Sequence, residues 1–117
     1  MIKDYKDLEI YQKGYNLTLE LYRITKKYPK EEQYEMVSQI RRAAYSIPLN
    51  ISEGWGRKSK LEFKRFLKMS LGSCNELQVL IELSKDLKYI SEQEYEEIKN
   101  KAEILGKQIY KLEERWN

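Results

Sequence analysis

The sequence predicts an all-α protein, an antiparallel up-down-up-down four-helix bundle with a proline-kinked second helix. Apolar residues recur at spacings of three and four along most of the chain, as on one face of a helix. Two prolines and five glycines in 117 residues leave room for short turns only. Charged residues make up 35% and hydrophobic residues 41%, which is typical of long amphipathic helices. We expect one domain over residues 1–117, with helices at about 7–28, 31–54, 60–88 and 92–115.

Two neighbouring apolar stripes predict the first helix, with Asp7 as its N-cap, and Pro29 either closes this helix or opens the next element. The stripes are Leu8, Tyr11, Tyr15, Thr18, Tyr22 and Thr25, and beside them Ile10, Gly14, Leu17, Leu21, Ile24 and Tyr28. Together they form an apolar face wider than one partner helix needs. We interpret the tyrosines as core and interface residues, and keep a base-stacking platform as the alternative.

The second helix contains Pro48, which cannot donate a hydrogen bond to the Ala44 carbonyl. The apolar spacing continues to Ile51, so we expect a kink and not a stop, with Gly54 as a left-handed cap. Its core positions are Met36, Val37, Ile40, Ala43, Ala44, Ile47 and Ile51. Tyr45 and Leu49 point away from this row, which indicates a second buried surface such as a subunit contact.

Capping boxes predict the starts of the last two helices, Ser59 with Glu62 and Ser91 with Glu94. Cys74 is expected to be a small buried apolar residue. The core row of the third helix is Phe63, Phe66, Leu67, Ser70, Cys74, Leu77, Ile81 and Ser84. The core row of the fourth is Tyr95, Ile98, Ala102, Leu105, Ile109, Leu112 and Trp116.

Positive charge is concentrated in residues 57–68, where six basic residues face Glu62 alone, in a chain whose net charge is +3. Lys64, Arg65 and Lys68 are expected to share a solvent face of the third helix. We predict a phosphate-binding patch here, and keep a merely solvated surface as the alternative. The candidate nucleic-acid-binding residues are Arg41, Arg42, Arg57, Lys58, Lys60, Lys64, Arg65 and Lys68. The bend at Pro48 either aims the arginines of this set at a partner or only curves the helix around the core.

Several classes of site are disfavoured by residue usage. The chain has no histidine and one cysteine, so a Cys/His zinc site cannot be assembled and no imidazole base is present. We expect no metal, no cofactor and no enzymatic activity. The sequence contains no apolar run of membrane-spanning length and no signal peptide, so we expect a cytoplasmic protein without a membrane partner.

The stretch 39–57 resembles the four-helix-bundle family named for proteins encoded in 23S rRNA intervening sequences. The motifs that carry the resemblance are Arg41-Arg42-Ala43-Ala44, Ser46-Ile47-Pro48, Asn50-Ile51, Glu53-Gly54, Glu62-Phe63, Phe66-Leu67, Gly72-Ser73 and Glu76-Leu77. The resemblance implies a bacterial homopentamer of four-helix bundles whose biochemical role is unknown for most members. A related branch, the accessory variability determinants of diversity-generating retroelements, implies binding to nucleic acid and to a reverse transcriptase.

Two functions follow as hypotheses. The first is an oligomeric nucleic-acid-binding or ribonucleoprotein accessory module that contacts RNA or DNA through the basic patch. The alternative is a structural or protein-interaction bundle whose basic patch meets an acidic protein partner.

Overall fold

A computed structural model describes residues 2–116, and every regular element in that range is helical. The helices are α1 (Glu9–Thr25), α2 (Met36–Gly56), α3 (Lys60–Asp86) and α4 (Glu92–Arg115). Short 3-10 turns at Tyr5–Asp7 and Lys30–Glu32 precede α1 and α2. The all-α four-helix fold class is therefore confirmed. Met1 and Asn117, the ends of the predicted single domain, lie outside the described residues.

The helices pack in chain order, and α4 closes the bundle against α1. Between α1 and α4, Lys13 donates a hydrogen bond to Gln108 (3.0 Å) and Lys101 to Glu20 (2.7 Å). Early residues of one helix thus lie beside late residues of the other. The same order is seen in the pairs Gly14 with Ile47, Thr25 with Arg41, Ser46 with Ser73, and Met36 with Ser84. Neighbouring helices therefore run in opposite directions.

Most of the core rows predicted for the last three helices lies inside the bundle, whereas Met36, Leu112 and Trp116 are only half-buried. Their buried members include Ile40, Ala43, Ala44, Ile47, Ile51, Phe63, Leu67, Cys74, Leu77, Ile81, Ile98, Ala102, Leu105 and Ile109. Cys74 is fully buried, as predicted, and burial raises the pKa of its thiol to about 12. Ser70 is also buried, and its hydroxyl donates to the Ile47 carbonyl at 2.9 Å, so this polar group keeps a partner inside the core.

The starts of the first two helices differ from the predicted bounds. Asp7 does not cap α1; it ends the preceding 3-10 turn, and its carboxylate accepts from the backbone N–H groups of Lys3 (2.9 Å) and Asp4 (3.2 Å) just before that turn. Helix α1 begins at Glu9, and α2 begins at Met36 because the segment after Pro29 first forms its own 3-10 turn. The end of α3 at Asp86 lies two residues before the predicted one, and the start and end of α4 are as predicted.

The predicted left-handed cap at Gly54 is wrong. Helix α2 continues through Gly54 to Gly56, and the left-handed residue is Lys58, with φ 56°. A methyl group on Gly54 would lie 2.6 Å from Cβ of Phe66. The absence of a side chain is therefore required by the close approach of α3, not by the turn. Pro48 lies inside α2 and is buried, and the bend predicted there stays a prediction.

Candidate nucleic-acid interface

Exposed basic residues are concentrated at and just after the turn between α2 and α3. Lys58 adopts its left-handed conformation here, and Ser59 then caps α3 by accepting a hydrogen bond from the Glu62 N–H (3.2 Å). The three-residue turn leaves Lys58 and Lys60 exposed at one end of the bundle, with Lys68 exposed two turns along α3. We call Lys58, Lys60 and Lys68 the turn cluster; within residues 2–116 none of the three forms an ion pair.

Two arginines beside the turn are already engaged. Arg65 binds Glu62 through two hydrogen bonds of 2.9 and 3.2 Å, and Arg57 lies 3.9 Å from the same carboxylate and 3.4 Å from Glu53. Both guanidinium groups also lie over the Phe66 ring, that of Arg65 at 4.7 Å and that of Arg57 at 5.2 Å from the ring centroid. The hydrogen bond from Arg65 lowers the pKa of Glu62, so this carboxylate remains charged and offsets part of the arginine charge. The predicted capping box is thus half formed, because the Glu62 side chain turns to the arginines.

Lys64 does not share the solvent face predicted for it with Arg65 and Lys68. Its side chain is 31% exposed and its ammonium lies 3.8 Å from the carboxylate of Glu113 on α4, which is buried. Lys64 therefore links α3 to α4, and its charge is compensated within the bundle.

Arg41 and Arg42 lie far from the turn. Counting from Arg57, they are 16 and 15 residues back along α2, roughly 23 Å at about 1.5 Å per residue. Arg41 donates to Thr25 Oγ1 (3.0 Å) and to the Tyr22 carbonyl (3.2 Å), and its guanidinium lies 4.4 Å from the Tyr22 ring centroid. Arg41 thus binds the carboxyl end of α1, whereas Arg42 is exposed.

A pocket beside the turn cluster was missed by sequence reasoning. Its volume is about 340 Å³, and its lining is Lys3, Gly54, Trp55, Lys58, Ser59, Lys60, Phe63 and Trp116. The residues come from the N-terminal segment, both sides of the α2–α3 turn and the end of α4. No spacing in the sequence connects these segments; the one available signal was that the chain's two tryptophans both lie near helix ends.

A second exposed feature is an uncharged groove between α1 and α2, of about 360 Å³, which we call the apolar groove. Tyr15, Leu19, Tyr45 and Leu49 line it and are 43–59% exposed. The other lining residues are Tyr5, Tyr11, Thr18, Pro48 and Ser52. Tyr45 and Leu49 thus point away from the core, as predicted, and the wide apolar face of α1 is only partly covered.

A metal-binding cluster and a membrane-spanning helix are both absent among the described residues. Among residues 2–116, no three histidine, cysteine, aspartate or glutamate side chains are grouped so as to hold a metal ion. None of the helices in that range combines the length and the apolar character needed to cross a bilayer.

Comparison with known proteins identifies a family and a similar solved structure. The family model described as "23S rRNA-intervening sequence protein" matches residues 6–111. A protein of unknown function from the S23 ribosomal protein family of Bacteroides thetaiotaomicron VPI-5482 superimposes with a TM-score of 0.83. The two sequences are 25% identical, and the alignment covers 90% of this chain and 95% of that one. No curated protein sequence matches the chain.

Proposed function

Because the chain belongs to the 23S rRNA-intervening sequence protein family, we propose that it is an oligomeric module that binds nucleic-acid backbones through the turn cluster. The family resemblance seen in the sequence is confirmed by the match over residues 6–111. The known relatives supply the fold and no established role, so the proposal depends on the surface of this chain.

The observation that carries the proposal is the uncompensated charge of the turn cluster. Some basic residues elsewhere lie beside carboxylates, as in Lys101 with Glu20 (2.7 Å) and Lys13 with Glu9 (3.0 Å). Other exposed lysines also form no ion pair among the described residues, but the turn cluster belongs to the segment with the largest local excess of positive charge, residues 57–68. The three ammonium groups of the turn cluster have no such partner within residues 2–116, so they are free to neutralise phosphates and release condensed counterions. Contacts of this kind carry little sequence information, and we expect weak sequence preference.

Self-association would raise the affinity of such a small patch. The apolar groove exposes tyrosine and leucine side chains to solvent, and a second exposed apolar stripe runs along α3 at Val79 and Leu83 to its C-cap, Leu87. A closed ring joins two different faces of each copy, and these two surfaces meet that requirement. We propose that they meet in a homopentamer, the assembly implied by the family resemblance. Five copies would repeat the turn cluster, so weak contacts would add through avidity.

Light scattering during size exclusion tests the assembly. The chain mass is 14.2 kDa, so a pentamer has five times that mass, about 71 kDa. Replacing Leu49 with Lys in the apolar groove should reduce the mass, because it places a charge in the contact. A parent protein that elutes at 14.2 kDa at every micromolar concentration would contradict the ring.

Fluorescence anisotropy with labelled duplex DNA and single-stranded RNA tests the binding, over a salt series. With about three phosphate contacts per protomer, log affinity should fall with log salt at a slope of about −2.7 on duplex and about −2.1 on single strands. No binding at low salt, where a basic patch is most effective, would remove the nucleic-acid proposal and favour an acidic protein partner.

A further inference from the structure

We propose that the pocket beside the turn cluster holds one unpaired base of a single-stranded nucleic acid. We call it the aromatic pocket, with the lining given above. The inference rests on the proposed function, and it adds a recognition element to what is otherwise a contact with phosphates alone.

Three aromatic rings form one wall of the aromatic pocket. The ring centroids of Trp55 and Phe63 are 5.7 Å apart, those of Phe63 and Trp116 are 4.7 Å apart, and those of the two tryptophans are 6.1 Å apart, all edge to face. Phe63 is buried beneath, whereas both indoles are only half-buried and line the pocket. Both indoles thus contribute aromatic surface to the pocket, and aromatic side chains are the surfaces on which bases stack in single-strand-binding proteins.

Among residues 2–116, the charged part of the lining is basic: Lys3, Lys58 and Lys60 line the pocket, and no carboxylate from that range does. Ser59 caps the 27-residue helix α3 and Lys60 is its first residue, so the positive end of its dipole borders the pocket. Aromatic walls with a cationic rim suit a ligand that is flat, apolar on its faces and anionic at its edge. A nucleotide has this chemistry.

Size and accessibility specify the form of the ligand. A volume of about 340 Å³ lies at the lower end of the range for small-molecule sites, about 300–1,000 Å³, and suits one nucleotide unit. A base inside a duplex has both faces stacked on its neighbours, so only an unpaired base can offer its face to an indole. The aromatic pocket should therefore distinguish single strands from duplexes, which the turn cluster alone does not.

The tryptophans themselves provide the readout. The chain contains two tryptophans, and both line the pocket, so all intrinsic tryptophan fluorescence reports on this site. We would titrate the parent protein with a short oligothymidylate and with an abasic oligomer of equal length and phosphate number. The oligothymidylate should quench the tryptophans and bind at least about fivefold more tightly, the lower limit for one stacked base. The abasic strand should bind without quenching.

Anisotropy of both labelled strands, measured in parallel, separates this inference from the proposed function. Equal affinities without quenching would overturn the base pocket and leave phosphate binding in place. Absence of any anisotropy change would overturn both. Trp116→Leu, which keeps apolar volume without a stacking surface, should abolish the preference for the base-containing strand. Tyr110→Leu, which removes an exposed ring lying outside the pocket lining, should retain it; loss of the preference in both variants would count against the pocket.

Discussion

Replacing Gly54 with alanine should destabilise the bundle by about 2 kcal/mol. The new methyl group would lie 2.6 Å from Cβ and 3.2 Å from Cγ of Phe66, well inside the ordinary contact distance of about 3.5–4.0 Å. The Phe66 Cβ is fixed to the α3 backbone and cannot rotate away, so the two helices must separate. Overpacking costs about 1–3 kcal/mol, and the upper value applies to a contact this short. Alanine regains about 1 kcal/mol over glycine inside a helix, which leaves the stated net loss.

Gly72→Ala is the matched control. Gly72 lies inside α3, but a methyl group there would meet no atom within 4 Å, so only the helix-propensity gain of about 1 kcal/mol remains. Thermal melts followed by circular dichroism, at one protomer concentration, should therefore move in opposite directions. We expect the Tm to fall by roughly 10 °C in Gly54→Ala and to rise by roughly 5 °C in Gly72→Ala. A Gly54→Ala protein as stable as the parent would refute the close-packing explanation.

Three further predictions concern polar contacts. Arg41→Ala should lower the free energy of unfolding by about 1–2 kcal/mol, because the bonds to the end of α1 are lost, while the salt slope of nucleic-acid binding stays unchanged; a shallower slope would place Arg41 in the interface. Lys64→Glu should lower the free energy of unfolding, measured by urea denaturation, by about 1–2 kcal/mol, because it places a second carboxylate beside Glu113. Adding Glu113→Lys should restore most of the lost stability. The hydrogen bond from Lys27 lowers the pKa of Glu94 in the folded state, so its stabilisation is present above the unfolded value near 4.5 and is lost as pH falls through the lower folded value. Glu94→Gln should therefore lose less stability than the parent between pH 5 and pH 3, and equal losses would contradict that linkage.

Periodicity predicted most of the fold because the core positions of a helical bundle follow from the residue spacing within each helix. The regular row from Tyr95 to Ile109 and the cap at Ser91 gave the position of α4, since each signal depends on residues within a few turns. The errors arose where a distant residue decides the local conformation. The residues around Gly54 predicted a helix cap at this position, but the glycine is required by the close approach of Phe66 on the next helix.

The candidate site was less predictable for the same reason. Counting charges along the sequence identified the basic segment. Whether each positive charge is compensated depends on carboxylates that are distant in the sequence or whose side chains adopt an unexpected direction. Glu113, near the end of α4, pairs with Lys64, and Glu62 turns from its expected capping role to Arg65. The aromatic pocket joins three separate parts of the chain, so no single window of sequence could show it.

The most direct test of the proposed function compares two triple variants that lose the same charge. One neutralises the turn cluster with Lys58→Asn, Lys60→Gln and Lys68→Gln. Asparagine tolerates the left-handed conformation of Lys58. The other makes the matched changes Lys88→Asn, Lys107→Gln and Lys111→Gln, at exposed lysines that form no ion pair within residues 2–116. Lys88 has φ 66°, like Lys58.

The measurement is anisotropy on single-stranded RNA at low and moderate salt, after melts have shown that both variants fold. We predict that the turn-cluster variant loses most of its affinity and that its salt slope becomes shallower by about 2. The control should stay close to the parent. Equal losses in the two variants would show that net charge alone drives binding and would contradict an interface at the α2–α3 turn.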